Sequence, residues 1–186
     1  MKPLVILALA LLPQPALAHG FGGSGWLHPL TGPDHMLAMV LVGAWSAQLG
    51  GRGVWAVPIA FVAAMAAGAL AARFGMVLPG SEIAIALSGT ALGLAVALAR
   101  PVVLPLAATG MLVFGWAHGA AHGVEMPAAA GLDYVVGFLV TTAGLHVAGL
   151  AGAGLLLDRD RGRSTLRVLG SAGALGGVAF LLPVLA

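Results

Sequence analysis

Residues 54–72 read VWAVPIAFVAAMAAGALAA, an uncharged apolar run held between Arg52 and Arg73. A helix rises about 1.5 Å per residue, so a run of this length reaches close to the ~30 Å of a bilayer's hydrocarbon core. Five more apolar runs share the chain, at roughly 34–49, 82–99, 102–121, 133–157 and 166–185. The shorter ones need tilt or local thinning of the bilayer to cross it. Turn signals separate the runs: Gly50-Gly51-Arg52-Gly53, Pro79-Gly80-Ser81, Arg100-Pro101, Met126-Pro127 and residues 158–165. The predicted fold is therefore an all-α integral membrane protein, a single-domain bundle of six transmembrane helices.

Composition supports lipid as the solvent. Hydrophobic residues make up 60% of the chain and charged residues 8%, against about 25% charged in a soluble domain. Long continuous runs favour helices over an alternating barrel pattern. The 29 glycines suggest closely packed helices, because small residues let backbones approach. With no cysteine, disulfides and thiolate metal sites are excluded. The eight basic residues form no aromatic-laced patch, which argues against nucleic acid as a partner.

Residues 1–18, MKPLVILALALLPQPALA, have the parts of a secretory signal peptide. Lys2 is the positive start, Leu4 to Leu12 the apolar core, and Ala16-Leu17-Ala18 the cleavage site. The alternative is an uncleaved first helix. Cleavage leaves residues 19–186 as the mature domain and His19 as its terminus. A terminal histidine offers amino and ring nitrogens that can chelate one ion; equally, His19 is simply the residue left after cutting. Cleavage also places the mature N-terminus outside. Arg52, Arg100, Arg159, Arg161, Arg163 and Arg167 then fall inside and only Arg73 outside, the positive-inside pattern. The implied location is the inner membrane, multi-pass, with both mature termini extracytoplasmic. Trp26, Trp55 and Tyr134 fall where interfacial aromatic anchors belong.

On this topology nearly all acids and histidines gather at the outer end. Asp34, Glu82, Glu125 and Asp133 face only Arg73 there, so the outer surface attracts cations. Two constellations stand out. In His28-Pro29-Leu30-Thr31-Gly32-Pro33-Asp34-His35, the prolines and glycine predict an irregular approach carrying His28, then a helix opening at Pro33. Met39 follows His35 by one turn on the same face. In His118-Gly119-Ala120-Ala121-His122-Gly123-Val124-Glu125, the histidines share a face, and Glu125 joins them if the last turn persists. Imidazoles with a carboxylate suit nickel, zinc, copper or iron. Glu82 and Asp133 read either as further ligands or as ordinary helix-start carboxylates. His146, about 20 Å along the fifth run, reads either as a ligand deeper on a pathway or as a core histidine bonded to a neighbour such as Thr142.

The pattern His-Pro-x-x-Gly-x-Asp-His-x-x-x-Met-x-x-x-Gly runs from His28 through Gly43 without departure. With the signal peptide and the chain length, it resembles the HupE/UreJ family of small membrane proteins. The resemblance implies a secondary nickel permease, with cobalt as an alternative cargo, serving hydrogenase or urease maturation. It implies no prosthetic group and no enzymatic activity. By it, His28, Asp34, His35 and Met39 become metal-pathway residues, joined by His118, His122 and Glu125. Two other functions fit the same residues: a zinc-dependent intramembrane hydrolase, and a metal-binding accessory subunit that transports nothing.

Overall fold

The computed structural model describes residues 24–76 and 79–185. The proposed signal peptide and His19 lie outside them. The described residues contain seven helices and no strand: α1 (His28–Thr31), α2 (Pro33–Leu49), α3 (Gly53–Arg73), α4 (Ser81–Leu98), α5 (Leu104–Glu125), α6 (Leu132–Leu157) and α7 (Gly162–Leu185). The last five are long and apolar enough to cross a membrane. The segment predicted as the first span is α2, whose 17 residues reach only about 25 Å. Large apolar side chains such as Leu132, Val103 and Leu175 stay exposed on the outside of the bundle, which suits contact with lipid chains.

Boundaries follow local chemistry. The chain turns from α2 into α3 on Gly50 and Gly51, with φ of 66° and 51°, values that side-chain-bearing residues rarely adopt. Pro105 in the first turn of α5 lacks only an amide hydrogen that the helix would not use. Two expectations need correction. The approach segment is not irregular throughout: His28–Thr31 forms one helical turn, with Pro29 at its start, where proline is harmless. The fourth span does not stop at 121 but continues to Glu125, because its glycines pack that last turn against α3.

Helix pairing is set by glycine. A Cβ on Gly115, Gly119 or Gly123 would collide with the carbonyl oxygens of Phe61, Met65 and Ala69 respectively. This constant register places α5 side by side with α3 at backbone contact, the small-residue packing expected in lipid. Gly43 and Gly149 do the same for α2 against α6, through the carbonyls of His146 and Val40. Gly93, Gly170 and Gly177 do it for α4 against α7. On α5 each histidine precedes a contact glycine, so the imidazoles turn roughly 100° away from α3 toward the bundle centre.

One position is strained without gain. Ala99, which ends α4, adopts the left-handed conformation with φ of 50°. That conformation costs a non-glycine residue about 1–2 kcal/mol. Ala99→Gly is therefore expected to stabilise the protein by about 1 kcal/mol, read as a raised thermal midpoint in detergent; an unchanged or lowered midpoint would count against the strain.

Candidate metal centre

Four imidazoles from α1, α2 and α5 meet at one end of the bundle. His122 is central: its ring lies 4.7 Å from that of His28 and 4.9 Å from that of His35. His35 in turn lies 5.1 Å from His118. His118 and His122 are completely buried and His35 nearly so. Phe138 of α6 stacks on His122 at 5.1 Å and fixes its plane.

Hydrogen bonds decide which nitrogens stay free. Asp34 Oδ1 accepts from the His35 backbone N–H at 2.8 Å and pairs with His35 Nδ1 at 3.0 Å. Nδ1 of His118 donates to the Phe114 carbonyl at 2.9 Å. In the neutral form of either ring, donation by Nδ1 leaves Nε2 as a bare lone pair. Among the described residues, His35 Nε2, His118 Nε2 and both nitrogens of His122 are buried without a hydrogen-bond partner. Buried polar atoms are rarely left so. A histidine whose Nδ1–H is tied to a carboxylate or carbonyl while Nε2 stays free is the usual arrangement of a metal ligand.

At the mouth, His28 Nε2 meets Glu125 Oε2 at 2.8 Å. Together with His122 they offer three donor atoms within 4.8 Å of one another. Neighbouring ligands of a small divalent ion sit about 3 Å apart when the bonds are near 2 Å, so the trio would have to draw in slightly to hold such an ion. Asp34 and Glu125 supply two negative charges to balance it.

The remaining candidates fall elsewhere. Met39 is buried one turn below His35, its sulfur accepting from Thr142. Glu82 is exposed in the first turn of α4, within electrostatic reach of Asp34, His35 and Glu125. Asp133 is exposed in the first turn of α6, outside the cluster. His146 is buried, and the structure corrects its core reading: Thr142 bonds Met39 instead, and both His146 nitrogens lack partners among the described residues. Tyr134 is no interfacial anchor either. It is buried, its ring 6.4 Å from His28 and 6.0 Å from Phe138, because it shares the inward face of α6 with Phe138 four residues on. Sequence reasoning passed over Phe61 and Phe138; their one signal was helical spacing, Phe61 with Met65 and Phe138 with Thr142.

Comparison with known proteins agrees with the motif. The family model described as HupE / UreJ protein matches residues 7–180. The chain belongs to the HupE/UreJ family. Among curated relatives, Protein HupE of Rhizobium leguminosarum bv. viciae is 42% identical over 182 residues, 94% of this chain and 95% of that one. No solved structure matches the chain. Both constellations, and the helices that carry them, lie inside the stretch that the HupE/UreJ model covers.

Proposed function

We propose that this HupE/UreJ protein is a secondary permease of the inner membrane that carries nickel, with cobalt as an alternative cargo, into the cytoplasm for hydrogenase or urease maturation. The observation that carries the reading is the convergence of His28, His35, His118 and His122 with two carboxylates at one end of the bundle. Five crossings come from α3 to α7. The sixth is α2, short but shielded, since it packs against α1, α3, α4, α6 and α7. The cluster then opens to the outside, and the arginines of the α2–α3, α4–α5 and α6–α7 turns face the cytoplasm.

Function follows from donor chemistry. The acidic mouth gathers cations, and imidazole nitrogens replace water around a late first-row ion. Conduction also requires that binding be weak enough to release. No G-x-x-x-x-G-K-[ST] loop occurs in the chain, and none is needed energetically. A divalent cation moving inward gains about 4.6 kcal/mol per 100 mV of membrane potential. Metal-resolved uptake into vesicles, with and without a pH gradient, tests the proposal: nickel accumulation without nucleotide is expected, and no flux of any divalent metal would overturn it.

Asp34 acts through His35. Asp34→Asn keeps the shape but weakens the hold on Nδ1, and loss of such a partner lowers metal affinity about 10–100-fold. Equilibrium dialysis should show that drop with the fold intact; unchanged affinity would remove Asp34 from the site. A second reading draws on the His28–His122–Glu125 trio, since two histidines and one glutamate also hold catalytic zinc. Stoichiometric zinc surviving dialysis would favour a hydrolase.

A further inference from the structure

Below the imidazoles, three helices bring together donors of a different kind. The Thr142 hydroxyl of α6 donates to the Met39 sulfur of α2 at 3.3 Å and lies 3.9 Å from the Met65 sulfur of α3. All three side chains are fully buried. A buried helical threonine commonly turns its hydroxyl back to the carbonyl one turn earlier, a better acceptor than a thioether. Thr142 turns to sulfur instead. The group lies one turn below the cluster: Met39 follows His35 by four residues, and Thr142 follows Phe138, the ring stacked on His122, by four. That is a step of about 6 Å along each helix. One further turn along α6 is His146, 2% exposed, with both ring nitrogens unpaired among the described residues. Phe61 sits between the two levels, 5.1 Å from His118 and 5.2 Å from His146.

We infer that Met39, Met65 and Thr142, with His146 beyond them, form a second, sulfur-lined metal station that a late transition-metal ion reaches from the imidazole cluster. The inference rests on the permease reading and adds a filter to it. Every donor here is neutral: two thioethers, one hydroxyl and one imidazole. Thioether and imidazole accept soft and borderline ions such as nickel, cobalt and copper, whereas magnesium and manganese seek oxygen, mostly from carboxylates and water. A hard ion finds here, among the described residues, one hydroxyl oxygen and no carboxylate to replace its water shell. An ion that accepts sulfur is held, but only loosely, as onward release requires.

The test uses the full-length protein labelled with selenomethionine and loaded with two equivalents of nickel. X-ray absorption at the nickel edge is expected to show a selenium neighbour, and the Met39→Leu/Met65→Leu double variant to lose it. In vesicles the double variant and Thr142→Val should each lose nickel uptake by roughly tenfold or more, while binding of the first equivalent stays unchanged. Absence of selenium scattering from the wild-type protein at saturating nickel overturns the station, whether or not any variant folds. Undiminished uptake by the double variant also overturns it and leaves the permease standing. Failure of the wild type to take up nickel sinks the permease reading itself.

Discussion

His122→Ala is expected to reach the membrane folded and to lose nickel uptake by about 100-fold or more. Outer partners of a metal ligand are already worth about 10–100-fold, and His122 is the ring that joins the mouth to the deeper imidazoles. Its centroid is 4.7 Å from His28 on one side and 4.9 Å from His35 on the other. Removing it widens the step from the mouth to the deeper rings to the 6.2 Å between His28 and His35. Folding should survive, because the imidazole contributes two buried nitrogens with no partner among the described residues, and such groups cost stability. His122→Phe makes the comparison sharper. It keeps a flat ring against Phe138 and removes both nitrogens, so thermal stability should hold while uptake falls as far as in the alanine variant. Uptake retained by His122→Phe would show that packing, not coordination, is what this position supplies.

Gly119→Val is expected to have the largest structural effect. A Cβ at Gly119 would run into the Met65 carbonyl oxygen of α3, a backbone atom that cannot rotate aside. Overpacking a tight site costs about 1–3 kcal/mol and occasionally more. Here two helices must separate, so a loss of about 3 kcal/mol or more is expected. Separation also shifts His118 and His122, which flank the contact, so residual folded protein should transport poorly. Gly110 and Gly144 provide the contrast: both are helical, and a Cβ on either meets nothing within 4 Å. Their alanine variants should be neutral or more stable by up to about 1 kcal/mol, since glycine weakens a helix interior. Thermal unfolding in detergent decides between these outcomes; equal midpoints for Gly119→Val and Gly110→Ala would mean that the α3–α5 contact does not hold the bundle together.

Much of the helical plan is legible in the sequence, because a span must be apolar over its whole length and each of the apolar runs overlies a helix. The ends are less legible. Residues 119–125 carry two glycines, a histidine and a glutamate, a composition that leaves open whether the last turn persists beyond 121. They stay helical because α3 lies against their glycines, a contact that no local pattern announces. Pro29 reads as a breaker in isolation but occupies the one turn of α1 where proline does no harm. For the site, four-residue spacing identifies His118 with His122 and His35 with Met39, since helix geometry is local. The meetings of His28 with Glu125 and of His35 with His118 depend on how three segments pack, which spacing does not encode. Thr142 illustrates the limit: its place one turn before His146 suggested a bond along the helix, whereas the hydroxyl crosses to Met39 on α2.

The claim on which transport depends is that imidazole nitrogens from separate helices take hold of a single ion. X-ray absorption at the nickel edge, on purified protein with one equivalent of nickel, addresses it directly. Strong imidazole scattering is expected, weakened in His35→Ala and again in His118→Ala. A spectrum matching nickel in water, unchanged by either substitution, would contradict it.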